Sequence, residues 1–305
     1  MTAMHPPDLE RTERSEPAPP AATDDVPWPR PLAFVLSGGG AFGATQVGML
    51  AALTDHGIAP DLVVGTSVGA LNGAVVADDP AGAAARLAEI WTHPDMGSPF
   101  GAGRWRAMID FLRWRRSLCP PHRLVAVIET WTTARCFDEL AVPFALVVTD
   151  ATTGAPTVLH DGPLQPALLA TTAIPGVFPP VSIDGQWYID GGVTANVPVR
   201  QAVGLGARAL IVLDAVPPAP PPPVPTSIVS ALINASGMAL RAQQARDLDP
   251  LDGPVPVLRL PPSTPVGSSS FDFSAAPSLI AEARRQTGAL LDSLPLRLGK
   301  PALFA

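Results

Sequence analysis

Residues 34–73 read FVLSGGGAFGATQVGMLAALTDHGIAPDLVVGTSVGALNG, and the fold class follows from how this stretch alternates. A short apolar run at 32–36 leads into Gly38-Gly39-Gly40-Ala41-Phe42-Gly43. Over 43–56, Val47, Leu50, Ala51 and Thr54 share one helical face, and Gly57 stops the helix. A second apolar run, 61–64, enters Gly65-Thr66-Ser67-Val68-Gly69, and a small-residue helix is expected from Ser67 to Ala77. Strand, helix, strand, helix is the pattern of a parallel sheet with helices on its faces. We therefore expect an α/β protein.

The two turns differ in what they offer. In the second, Ser67 sits between glycines at a strand-to-helix join, and such a sharp turn lifts a hydroxyl clear of the backbone. In the first, three successive glycines leave N–H groups uncovered beside a helix N-terminus, a place that stabilises negative charge. A nucleophile and an anion-stabilising loop are the two halves of an acyl-transfer site.

The rest of the chain sets the frame. Its 305 residues, 47% hydrophobic and 15% charged, are enough for a sizeable core. A net charge of −7 argues against a nucleic-acid partner. Cys119 and Cys136 form neither a metal-ligand spacing nor a disulfide framework, and neither metal nor cofactor is expected. Residues 1–30, rich in Pro, Glu, Asp and Thr, read as a disordered tail. No basic-then-apolar leader and no apolar run of about 18 residues is present, so a cytoplasmic protein is expected, with contact to a membrane from that side.

Further along, a helix is expected from Asp79-Pro80 to Trp91, and another over 121–132. Buried strands are expected at 143–149, 156–160 and 209–213. Asp184-Gly185 signals a hairpin between 181–183 and 186–189. Residues 170–181, ATTAIPGVFPPV, read as a proline-broken loop. Seven prolines in ten positions make 216–225 an extended segment, with helical and strand-like pieces over 226–247, 255–260 and 277–293 beyond it. Between 104 and 116, five arginines (Arg104, Arg106, Arg113, Arg115, Arg116) accompany a Trp-containing apolar stripe. That stripe either packs on the domain or lies on a membrane surface.

The base for Ser67 is the open question. A triad of the α/β-hydrolase type places its histidine last in chain order, yet no histidine follows His160. His160 is the one realistic histidine, and His56 reads as a helix-end residue. A carboxylate is the alternative. Asp190 is best placed, because Gly191 and Gly192 let the backbone turn just past a strand. Asp150 and Asp214 also end strands but lack the double glycine, and suit capping roles. A free Asp, with a pKa of about 3.9, is a poor base, so its site must desolvate it.

GGGAFG, then GTSVG, then DGG preceded by ATTAIPGVFPPV, resembles the patatin-like phospholipases in their bacterial form, over roughly residues 32–215. The resemblance implies a three-layer α/β fold with a mostly parallel central sheet flanked by helices. It also implies hydrolysis of lipid acyl esters, of phospholipase A or lysophospholipase type, by a Ser–Asp dyad. By motif position Ser67 is then the nucleophile and Asp190 the general base. The N–H groups of Gly38, Gly39 and Gly40 form the oxyanion hole, and Gly43, Gly65, Gly69, Gly191 and Gly192 shape the turns. Phe42 departs from the Arg or Lys that many members carry in the glycine loop. On this reading 31–215 is the catalytic domain and 226–305 an extension packed on it. Two rivals remain. Gly38-x-Gly40-x-x-Gly43 also fits a dinucleotide-binding turn, although the second strand lacks a terminal acidic residue. A non-catalytic membrane-binding module is the other.

Overall fold

Leu32–Leu36, strand β1, is buried along its whole length because both faces of the sheet are covered around it. The computed structural model describes residues 28–93, 125, 128–129, 131–216, 224, 238, 242–243, 245–247, 255–262 and 272–294. In chain order the elements are β1, α1 (Gly43–Asp55), β2 (Leu62–Thr66), α2 (Val68–Asp78), α3 (Ala83–Thr92), β3 (Phe144–Asp150) and β4 (Pro156–Leu159). There follow α4 (Leu164–Thr171), β5 (Val181–Ile183), β6 (Gln186–Asp190), α5 (Val199–Gly204), β7 (Ala209–Leu213), β8 (Val257–Leu260) and α6 (Ala276–Ser293).

Among the described residues eight strands form one sheet, in the order β5-β6-β3-β2-β1-β7-β8 with β4 paired to β3. The run β3-β2-β1-β7-β8 is parallel, while β4, β6 and β5 join antiparallel. Alternation sorts the side chains of β1: Leu32, Phe34 and Leu36 enter one core, and Ala33 and Val35 the other. The first core is built with α1, α2, α3, α4 and α6, the second with Val199 and Ala202 of α5. The result is an α/β fold of three layers with a mostly parallel central sheet.

Several sequence expectations shift. The second strand runs on through Gly65 and Thr66, so Ser67 is the hinge residue itself. α3 starts at Ala83 because Pro80–Gly82 form a turn, with Asp79 Oδ1 accepting the Gly82 N–H at 3.0 Å. The segment before the proline-broken loop forms a two-turn helix, α4, that ends at Thr171. The presumed tail is packed from Trp28, which is buried, and Arg30 pairs with Asp61 at 2.8 Å. The basic stretch 104–116, most of 121–132 and the prolines of 216–225 lie outside the described residues.

Candidate active site

Ser67 joins β2 to α2 with φ 54° and ψ −126°, a left-handed conformation that L-residues adopt only under constraint. Close packing imposes it. At Gly69 a Cβ would lie 2.4 Å from both the Leu36 and Ser37 carbonyl oxygens, so the first turn of α2 sits directly on the end of β1. The Ser67 N–H donates to Thr171 Oγ1 at 3.0 Å, and that hydroxyl donates to the Val147 carbonyl at 2.5 Å. Thr171 thus ties the backbone of Ser67, the candidate nucleophile, to β3.

Strand β3 also places Asp190, the candidate base. One of its edges is bonded by β4, with Val147 opposite Val158 and Val148 opposite Thr157. Its other edge is taken first by β2, with Thr66 opposite Val147, and on the next rung by β6, with Asp190 opposite Val148. Neighbouring rungs of one strand therefore bring together residues 123 positions apart. Ser67 Oγ donates to Asp190 Oδ2 at 2.7 Å, and both residues are buried. The other carboxylate oxygen, Oδ1, accepts the Gly192 N–H at 2.7 Å, and the Asp190 carbonyl accepts from Thr149 Oγ1 at 2.9 Å. Burial pushes the Asp190 carboxyl up to about 6, against the lowering effect of the bonds from Ser67 and Gly192. That value suits a base near neutral pH.

The glycine loop lies against this pair. A Cβ on Gly38 would come within 3.3 Å of Ser67 Cβ and 2.5 Å of Asn196 Oδ1. One expectation needs correction here. The Gly38 N–H donates to the Asn196 carbonyl at 3.1 Å, so it is already engaged and is not a free anion donor. Among the described residues the N–H groups of Gly39 and Gly40 have no protein acceptor. Gly40 takes φ 58°, a turn open to glycine. Where β7 ends, Ala215 N–H donates to Ser37 Oγ at 2.8 Å, and Ser37 Oγ in turn donates to Asp214 Oδ1 at 3.2 Å.

The competing bases lie elsewhere. β4 runs antiparallel to β3 with Leu159 opposite Leu146, so His160 points toward the beginning of β3. It lines a cavity of about 490 Å³ with Leu62, Pro143 and Phe144, at the end of the sheet opposite Ser67. His56 closes α1, where its ring bonds the Ala52 carbonyl at 2.7 Å and Asp292 at 3.0 Å. Asp150 Oδ1 caps a turn by accepting from Thr152 and Thr153 N–H. Asp214 is fully buried and ion-paired to Arg259. Sequence reasoning passed over Thr171, Thr149 and Asn196. A threonine ending an otherwise apolar helix was the available signal for Thr171. Among the described residues no group of three or more His, Cys, Asp or Glu could hold a metal ion.

The family profile described as "Patatin-like phospholipase" matches residues 34–203, which span the glycine loop, Ser67 and Asp190. The chain belongs to that family. Patatin-like phospholipase domain-containing protein 7 of Rattus norvegicus is 33% identical over 186 residues, 60% of this chain. Lysophospholipase nte1 of Aspergillus terreus is 30% identical over 186 residues, 61% of this chain. The matched region spans only 13% and 12% of those two proteins. Among solved structures, VipD from Legionella pneumophila aligns over 87% of this chain and 67% of its own, at 15% identity and a TM-score of 0.48. This patatin-like chain carries β8 and α6 beyond the matched region, and α6 packs on α1 so tightly that a Cβ at Gly48 would lie 2.2 Å from the Ile280 carbonyl.

Proposed function

We propose that the protein is a serine lipid acyl hydrolase of phospholipase A or lysophospholipase type. The observation that carries this reading is the 2.7 Å bond between a strained, elbow-borne serine and a buried carboxylate. Ser67 Oγ attacks the ester carbonyl carbon as Asp190 takes its proton. The resulting oxyanion is held by the N–H groups of Gly39 and Gly40, with the N-terminus of α2 adding its dipole. Collapse breaks the bond to the alcohol, which takes the proton from Asp190 and departs, and the acyl group stays esterified to Ser67. Water then gives a proton to Asp190 and attacks the acyl carbon, and the fatty acid departs as Ser67 recovers its proton. The family match and the lysophospholipase relative support the lipid substrate.

A fluorophosphonate probe should label one residue, identified by peptide mapping as Ser67. Because the Asp190 carboxyl sits near 6, its base form is lost below that pH. The labelling rate should therefore rise about tenfold per pH unit up to about 6 and then level. Labelling at another residue, or a rate independent of pH between 4 and 8, would reject the dyad.

Access to substrate is proposed to use a membrane surface. Among the described residues no helix is long and apolar enough to cross a bilayer. The 104–116 sequence holds five arginines against one acid, Asp110, with Trp105 and Trp114 suited to the headgroup interface. Each cation near an anionic surface contributes about 1 kcal/mol, screened by salt. Replacing Arg113, Arg115 and Arg116 with glutamate should weaken co-sedimentation with anionic vesicles and leave hydrolysis of a short soluble ester intact. Equal binding by the folded triple variant at low salt would assign the segment to ordinary packing.

A further inference from the structure

Beneath the glycine loop runs a chain of buried side-chain amides whose purpose the reaction above does not absorb. Trp91 Nε1 donates to Asn72 Oδ1 at 3.0 Å. Asn72 Nδ2 donates to Gln46 Oε1 at 2.8 Å and to the Gly43 carbonyl at 3.0 Å. Gln46 Nε2 then donates to the Ser37 carbonyl at 2.8 Å and the Leu213 carbonyl at 3.0 Å. All three side chains are fully buried, and every polar atom in the relay has a partner.

The direction of this relay is forced. An indole N–H can only donate and two peptide carbonyls can only accept, so both amides between them are held in one orientation. Its far end is the peptide that begins the glycine loop. The Ser37 carbonyl belongs to the same peptide plane as the Gly38 N–H, which faces the Asn196 carbonyl. Fixing one side of that plane fixes the other and anchors the point from which the loop departs; the next plane, which carries the Gly39 N–H, is met on its carbonyl side by Asn196 Nδ2 at 3.5 Å. We infer that Gln46 is a positioning residue: through the Ser37 carbonyl it aims the Gly39 and Gly40 N–H groups at the developing oxyanion. This rests on the hydrolase reading above. Buried polar networks of this kind specify one arrangement when every member is satisfied.

The test compares an oxoester with its thionoester, in which sulfur replaces the carbonyl oxygen and accepts N–H bonds poorly. A working oxyanion hole favours the oxoester, and misaimed donors erode that preference. Gln46→Met keeps side-chain length and removes the amide. Its kcat for the oxoester should fall about 10²-fold, the size of losing one oxyanion donor. KM should change little, and the oxoester-to-thionoester ratio should shrink toward unity. Should Gln46→Met fail to fold, Trp91→Phe decides, because it keeps an aromatic side chain at this buried position and removes, with the fused five-membered ring, the N–H that orders the relay. It should shrink the ratio in the same direction with a smaller loss of kcat. Folded variants with the parent's kcat, or with a lower kcat and an unchanged ratio, overturn the role of Gln46 and leave the hydrolase reading standing. A parent that hydrolyses neither ester overturns both.

Discussion

Asp190→Asn is expected to abolish ester hydrolysis while leaving the protein at least as stable as the parent at pH 8. Asparagine keeps the shape and an oxygen for the Gly192 N–H, but it cannot take a proton from Ser67. Loss of a member of a nucleophile–base pair costs about 10⁴- to 10⁶-fold in kcat. Stability moves the other way. The Asp190 carboxyl is raised to about 6 from an ordinary 3.8, so the folded state binds its proton more readily than the unfolded state. Its contribution to stability is full below about 4 and is lost as the pH rises through about 6. Above that pH the parent holds a buried charge that Asp190→Asn lacks. Thermal unfolding at pH 5 and pH 8 checks this, and the parent should lose more Tm between them than the variant. Ser67→Ala should be as inactive, and His160→Ala should keep the parent's turnover. A His160→Ala variant as damaged as either would remove the dyad.

Gly191→Ala is expected to lower both stability and turnover. A Cβ there would lie 2.1 Å from the Val147 carbonyl oxygen and 3.2 Å from Thr66 Cγ2. That carbonyl cannot retreat, because it belongs to a central strand and already accepts from Thr171. The turn after Asp190 must move instead, drawing the carboxylate away from Ser67. Overpacking of this kind costs about 1–3 kcal/mol, and a misplacement near 1 Å costs about 10²-fold in rate. Gly204→Ala is the matched control, since at the end of α5 a Cβ meets nothing within 4 Å. Denaturant unfolding and kcat on a short ester measure both. A folded Gly191→Ala with the parent's turnover would show that the turn has room on β3.

The residues that announce themselves in the sequence are those whose demands are local. Ser67 is flanked by glycines that its turn requires, and Asp190 precedes the pair that lets the chain bend. Their adjacency was not legible, because it depends on which rungs of β3 each strand takes. Thr171 and Asn196 were hidden for the same reason: each acts on a residue far away in the chain, through one hydroxyl or one backbone carbonyl. The engagement of the Gly38 N–H also depends on such a distant partner. Helices α1 and α2 are buried almost all round, so their apolar periodicity is weak, and glycines at their starts marked them better than pattern did. α4 and α5, with eight and six residues, were too short to show a pattern at all.

The ladder on β3 has a consequence in time. A growing chain acquires Ser67 long before Asp190, and the glycine loop beside Ser67 is met by a residue, Asn196, that emerges later still. Bringing such distant partners together is slow relative to local helix formation. Partly folded molecules therefore hold Ser67 without the carboxylate that the proposed dyad requires. On the proposed mechanism, catalytic competence arrives when β6 takes its place on β3 and does not precede that pairing.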